Sequence, residues 1–176
     1  MTTTLARAHV TFHIDVNVGD PVSPAPTLVR VPRLLGGEPL TLSGYPLHMV
    51  HAEKLVTALQ RGTVNTRWRD FADVWALSGA HPVNGHELQT ALRVVADHRG
   101  APLAPLADVL DGYAALAQGK WAAWRRKHQM LHLPEQFNDL LQEVIAFADP
   151  ALSSHTTNDT WNPKARRWEP PTTAGA

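Results

Sequence analysis

The chain of 176 residues has no cysteine. That removes disulfide frameworks, cysteine-ligated zinc and thiol nucleophiles together. It has no net charge, because sixteen Lys and Arg stand against sixteen Asp and Glu. Without an overall field to steer it to nucleic acid or an anionic membrane, any such contact has to come from a local patch. It has no run of eighteen apolar residues, which leaves no candidate membrane-spanning helix. The opening MTTTLARAHV lacks the apolar stretch of a secretory leader. A cytoplasmic protein with no membrane partner is expected.

What is present reads first as β and then as α. From Val10 to Val18 apolar and polar residues alternate, the period of a half-buried strand, with His13, Asp15 and Asn17 on the wetter face. Thr27–Val31 and Pro39–Ser43 read as two short strands around the Gly36-Gly37 turn. A helix is predicted from Pro46 to about Arg61, stopped by Gly62, with apolar residues on more than one face and therefore buried. Thr66 is a candidate cap for a helix over Arg67–Leu77, and Asn84 for one ending near His98 before Gly100. A third helical unit runs from Leu103 to about His128, broken near Gly112. The last helix opens at Pro134-Glu135 and is expected to end at Asp149, since the residue before a proline disfavours the helical region. Residues 151–176 read as an extended or disordered tail that Trp161 and Trp168 could anchor. The fold class is α+β: a small N-terminal mixed or antiparallel sheet, then a helical bundle. The division is 1–64 (sheet plus first helix), 65–150 (bundle) and 151–176 (tail).

Three groups can carry chemistry. Asp15, on the polar face of its strand, has the residue type and rigid setting that phosphoryl transfer uses to hold metal or take a proton; a solvated strand aspartate has the same pattern. Lys54, in a helix wrapped by apolar residues, wants an anionic partner, a carboxylate or a phosphate; a lysine reaching from a core helix to water is the plainer account. In Arg67-Trp-Arg-Asp-Phe-Ala-Asp73, Asp70 and Asp73 share a helix face, Arg67 pairs with Asp70 at i,i+3 and Arg69 with Asp73 at i,i+4. Exposed ion pairs explain that spacing equally well.

Taken in order, HIDVNVGDP, YPLHMVHAEKLVTALQRG and NTRWRDFADVWAL resemble the AbiEii/AbiGii nucleotidyltransferase toxins of type IV toxin–antitoxin and abortive-infection systems. The most specific parts are Ala52-Glu53-Lys54 and the R-x-(K/R)-D-x-x-D run over Arg67–Asp73. The resemblance covers roughly residues 8 to 150 and implies a DNA polymerase beta-like nucleotidyltransferase core. It puts the strand aspartate of the third acidic motif on Asp15, as metal ligand and base. It puts the phosphate-contacting lysine on Lys54 and a supporting active-site acid on Asp70, with Arg67, Arg69 and Asp73 on the substrate side. Magnesium, a nucleoside triphosphate substrate, an RNA acceptor such as tRNA and a cognate antitoxin protein are implied with it.

One departure stands out. The family's first motif, a Gly-Ser dipeptide before a strand bearing Asp-x-Asp or Asp-x-Glu, has no counterpart, since the sequence contains no Gly-Ser at all. A two-metal mechanism needs several oxygen ligands per ion, and Asp15, even with Asp20 or Asp73, is a thin set. The chain is expected to correspond to roughly the C-terminal two-thirds of such an enzyme. Two readings follow: a nucleotidyltransferase toxin, or a non-catalytic remnant that binds antitoxin, RNA or a missing N-terminal half. An acid-free stretch from Tyr113 to Leu133 adds Lys120, Arg125, Arg126 and Lys127 beside Trp121 and Trp124. Such interleaving suits an RNA backbone with stacked bases, although an amphipathic helix with its tryptophans in the core has the same composition. Ten histidines are present, but their spacings give no HExxH, and no zinc site is expected.

Overall fold

The computed structural model describes residues 2–5, 8–11, 19, 21–23 and 25–171. The order of elements is strands, then helices, then a final hairpin, and the α+β class stands. β1 (Thr2–Leu5) pairs antiparallel with β2 (Ala8–Thr11), Thr2 opposite Thr11. The alternating strand expected over Val10–Val18 meets β2 only at its start; residues 12–18, with Asp15, and Asp20 beyond them, lie outside the described residues. β3 (Thr27–Val31) and β4 (Leu40–Gly44) form the second hairpin, with Thr27 opposite Gly44 and Val31 opposite Leu40. Gly36 and Gly37 make the turn at φ 77° and 96°, where a side chain would be strained.

The helices form one core. α1 (Leu47–Arg61) packs on α2 (Trp68–Ala80) and α3 (Gly85–Arg99), while α6 (Phe137–Leu152) covers α2, α3, the short α4 (Leu106–Val109) and α5 (Tyr113–Lys127). The apolar residues of α1 spread round the helix because it lies between neighbours. Met49, Ala52, Leu55 and Val56 are at most 1% exposed, and burying each large one is worth about 1.5–3 kcal/mol. Asn84 caps α3 as its sequence position suggests, its Oδ1 accepting from the Glu87 amide at 3.0 Å, and Gly100 ends the helix at φ 58°. Asn84→Ala is expected to cost about 1 kcal/mol in urea denaturation; a loss below a few tenths would mean that the cap carries no stability.

Several helix ends differ from the sequence reading: α2 runs on to Ala80 rather than Leu77, and α6 opens at Phe137 rather than at Pro134-Glu135. Thr66 does not cap α2; the neighbouring Asn65 does the local work, its Oδ1 accepting from the Arg67 amide at 2.9 Å, and the helix starts at Trp68. Nor does α6 stop at Asp149. It continues through Pro150 to Leu152, because Ala148, Ala151 and Leu152 are buried and the late carbonyls are met by the Ser153 and His155 amides. The Asp149 carboxylate also accepts from the Leu106 and Ala107 amides at 2.6 and 3.1 Å, fastening the start of α4 to α6. Burial raises the pKa of Asp149 against the lowering effect of those two bonds.

The segment read as a tail is ordered well beyond residue 151. β6 (Thr160–Asn162) and β7 (Arg167–Glu169) pair antiparallel, and β6 pairs with β5 (Val83–Asn84) between α2 and α3. Both tryptophans anchor it. Trp161 is fully buried, and Trp168 stacks on Phe147 at 5.7 Å and donates to its carbonyl oxygen. Ser, Thr, Pro and Asn dominate the composition here, and two aromatic side chains outweigh them.

Candidate functional site

Lys54 lies on α1 where helical periodicity turns it away from Leu55 and Val56 and toward α2. Its Nζ donates to Asp70 Oδ1 at 3.1 Å and to Asp73 Oδ2 at 2.7 Å. Asp70 and Asp73, one turn apart in the first half of α2, present both carboxylates to one ammonium. Arg67 Nε closes on the other oxygen of Asp70 at 2.9 Å, and Arg69 reaches Asp73 at 3.9 Å. Lys54 and Asp70 are largely shielded, with side chains 20% and 12% exposed, whereas Arg67 and Arg69 are open to solvent.

The loop between α1 and α2 aims Arg67. Gly62 turns the chain at φ 53°, and buried Asn65 binds the Arg67 amide. Tyr113 of α5 donates its hydroxyl to the Asn65 carbonyl at 2.5 Å, and burial pushes its pKa up to about 12, which keeps that proton in place. From the far side comes Arg99, in the last turn of α3. It pairs with Glu53 and donates from Nη1 to Thr57 Oγ1 at 2.9 Å. Tyr45, Val50, Glu53, Lys54, Thr57, Arg67, Asp70 and Arg99 line an open cleft of about 280 Å³. Across the network four cations face three carboxylates, which leaves one positive charge in excess.

Of the residues singled out from the sequence, Lys54, Arg67, Arg69, Asp70 and Asp73 are brought together. Arg125, Arg126 and Lys127 are not; they lie on α5, which packs on α6, and none of them lines the cleft. Arg125 fastens the following loop, donating from Nε to the Leu133 carbonyl at 3.0 Å and from Nη2 to that of Leu131 at 3.1 Å. Trp121 is fully buried and donates to the Pro134 carbonyl, so it offers no face to a base. Asp15 lies outside the described residues. Sequence reasoning missed Arg99 and gave its partner Glu53, quoted only as part of the Ala52-Glu53-Lys54 run, no role of its own. They stand 46 positions apart, and the only local signal is a basic residue in the last turn of a helix, which the helix dipole alone accounts for.

Whether this set fits a divalent cation follows from its bonds. Both Asp70 oxygens are taken by Lys54 and Arg67, and the Asp73 oxygen nearest the site by Lys54. Among the described residues no group of three His, Asp or Glu is arranged to hold a metal ion. The described carboxylates therefore do not fit magnesium.

One turn before Lys54, His51 is fully buried against Phe147, and neither ring nitrogen has a partner among the described residues. Burial lowers its pKa from 6.5 to about 3, with His48, His81 and Lys54 adding repulsion. The folded form keeps His51 neutral, while the unfolded chain takes a proton below about 6.5. Its contribution is therefore intact near neutrality and fades as pH falls toward about 3. Between pH 7 and about 4.5 the loss should reach roughly 2–3 kcal/mol. In urea melts at both pH values, His51→Leu should flatten that dependence; equal slopes for the two proteins would contradict it.

Among the described residues no helix is long and apolar enough to cross a membrane. Neither a curated protein nor a solved structure matches the chain. A family model does, described as nucleotidyl transferase AbiEii toxin of a type IV toxin–antitoxin system, and it spans residues 1–143, through the Lys54 cleft and into α6. The chain belongs to the AbiEii nucleotidyltransferase toxin family.

Proposed function

We propose that the protein transfers a nucleotide from a nucleoside triphosphate to an RNA acceptor, with tRNA the leading candidate, as the cytoplasmic toxin of a toxin–antitoxin pair. The observation that carries this reading is the half-enclosed ammonium of Lys54, fixed by two carboxylates at the wall of a cleft with surplus positive charge. An ammonium held this way is oriented before substrate arrives, so little reorganisation is needed when phosphate charge develops. Asp70 and Asp73 orient Lys54, and Arg67 and Arg69 neutralise those acids on the solvent side.

In the reaction an acceptor hydroxyl oxygen forms a bond to the α-phosphorus, the bond from that phosphorus to the bridging oxygen breaks, and pyrophosphate departs. The hydroxyl proton goes to a base, the role assigned to Asp15. Lys54 and Arg67 meet the charge that grows on the leaving pyrophosphate. Arg126 and Lys127, exposed at the end of α5 next to Arg125, are assigned to the RNA backbone. A cognate antitoxin is the protein partner.

The test is to incubate the protein with total tRNA and each labelled nucleoside triphosphate. Label entering tRNA from one of them supports the reading. No label from a folded sample with any of the four, over a range of divalent ions, would reject it. A second reading, a binding module without catalysis, is favoured by one observation. Val29, Val31, Leu40 and Leu42 share a face of the β3–β4 hairpin at 39–49% exposure, and Leu34 and Leu35 at its tip are fully exposed. Contiguous apolar surface of that kind marks a contact site.

A further inference from the structure

We propose that a second concavity, between the α1–α2 loop and α5, binds an unpaired nucleobase of RNA. This rests on the RNA-acceptor reading and adds to it a site that shares no residue with the Lys54 cleft.

Residues 66–68 lie between the two concavities. Arg67 lines the cleft, whereas Thr66 and Trp68 line the second one, whose other wall is α5. It holds about 360 Å³, inside the roughly 300–1,000 Å³ of sites that enclose an organic ligand. Its back is firm: Trp68 and Tyr113 are 6% and 2% exposed and lie parallel at 6.1 Å. Its sides are apolar and open. Val64 of the loop and Leu116 of α5 are 82% and 74% exposed. A single exposed aliphatic side chain is ordinary. Two from separate elements, lining one concavity with aromatic rings behind them, suit a planar ring.

The polar groups narrow the class of ring. Buried Asn65 accepts from the Arg67 amide through Oδ1 and from the Tyr113 hydroxyl through its carbonyl. Its Nδ2 has no partner among the described residues, although a buried donor is as a rule paired. A ring carbonyl or ring nitrogen supplies the missing acceptor, and the exposed Thr66 hydroxyl can donate or accept beside it. A nucleobase edge carries such atoms. A hydrocarbon ring has none, and a free phosphate makes no use of Val64 and Leu116. Lys120 is exposed and is the one charged residue of the lining, placed to meet the phosphate next to the base. Two helical turns separate it from Lys127, so both share one face of α5 and a backbone running along that face passes both cations.

The test compares a short fluorescent single-stranded RNA with an abasic RNA of equal length and charge, by anisotropy with the full chain. Wild type is expected to bind the base-bearing RNA about tenfold more tightly, the gain from burying one ring among apolar side chains. The double variant Val64→Ser/Leu116→Ser should lose that preference yet bind abasic RNA as wild type does, which shows that it is folded. Leu28→Ser removes a side chain 78% exposed on β3, outside the pocket, and should keep the preference. Lys120→Gln should weaken both RNAs alike and lower the salt slope by about one. Equal affinity of wild type for the two RNAs, or a double variant that keeps the preference, overturns the inference. Label still entering tRNA in the transfer assay then shows that the nucleotidyl-transfer reading survives it. Nucleoside monophosphates form a further arm. If they bind wild type and not the double variant, while wild type does not distinguish the two RNAs, the pocket takes a free nucleotide and the RNA assignment is overturned. If wild type binds neither RNA, the inference falls together with the RNA-acceptor reading.

Discussion

Lys54→Met should lower nucleotide transfer by about a hundredfold to a thousandfold, the range found when one preorganised group facing developing negative charge is removed. The thioether chain keeps most of the lysine's length, so the packing of α1 against α2 changes little. Asp70 retains Arg67 at 2.9 Å and Asp73 retains Arg69 at 3.9 Å, which leaves neither acid without a cation. Stability should therefore fall by only about 1–2 kcal/mol, the cost of a charge-assisted bond whose acids keep a second cation. Activity and stability thus separate, and that separation is the diagnostic feature. Rates at a fixed, saturating nucleotide concentration, taken beside a urea melt, measure both. A variant that transfers normally would place the phosphate contact elsewhere. A variant that unfolds would mean that the Lys54 network is structural.

The second large effect lies far from the cleft. Trp161→Ala is expected to destabilise the protein by about 3–5 kcal/mol, equivalent to at least about 6 °C in melting temperature for a chain of this size. Trp161 is fully buried in β6 and donates from Nε1 to the Ser78 carbonyl at 2.8 Å. It also meets Phe147 and Trp168 at 5.1 and 5.5 Å. Truncation would leave a cavity among α2, α6 and the hairpin, together with a carbonyl deprived of its donor. A loss under about 1 kcal/mol would show that the hairpin rests on the surface and that residues after α6 add little to the core.

These two sites show what could be read from sequence. Lys54, Asp70 and Asp73 were legible because helical spacing alone places the two acids on one face, and because a lysine inside an apolar helix demands an anion. Helix α3 was legible at both ends from Asn84 and Gly100, whose roles depend on local backbone chemistry. Arg99 was hidden because its meaning comes from Glu53, on a helix that reaches it only through packing. The end of α6 was hidden for a related reason: tertiary burial of Ala151 and Leu152 overrode the local preference of a residue before proline. The hairpin after it was read as a tail from its composition; Trp161 and Trp168 were legible as anchors, but the strands they hold were not. Arg125 carried the right charge for RNA, but the carbonyls of Leu131 and Leu133 claim it.

The most direct test of the central claim is a crystal structure of the chain with a non-hydrolysable nucleoside triphosphate analogue. Terminal phosphates are expected beside Lys54 and Arg67, with oxygens within about 3.2 Å of Lys54 Nζ. Phosphates bound elsewhere, with the Lys54–Asp70–Asp73 contacts unchanged, would contradict that and make this network a scaffold holding α1 and α2 together.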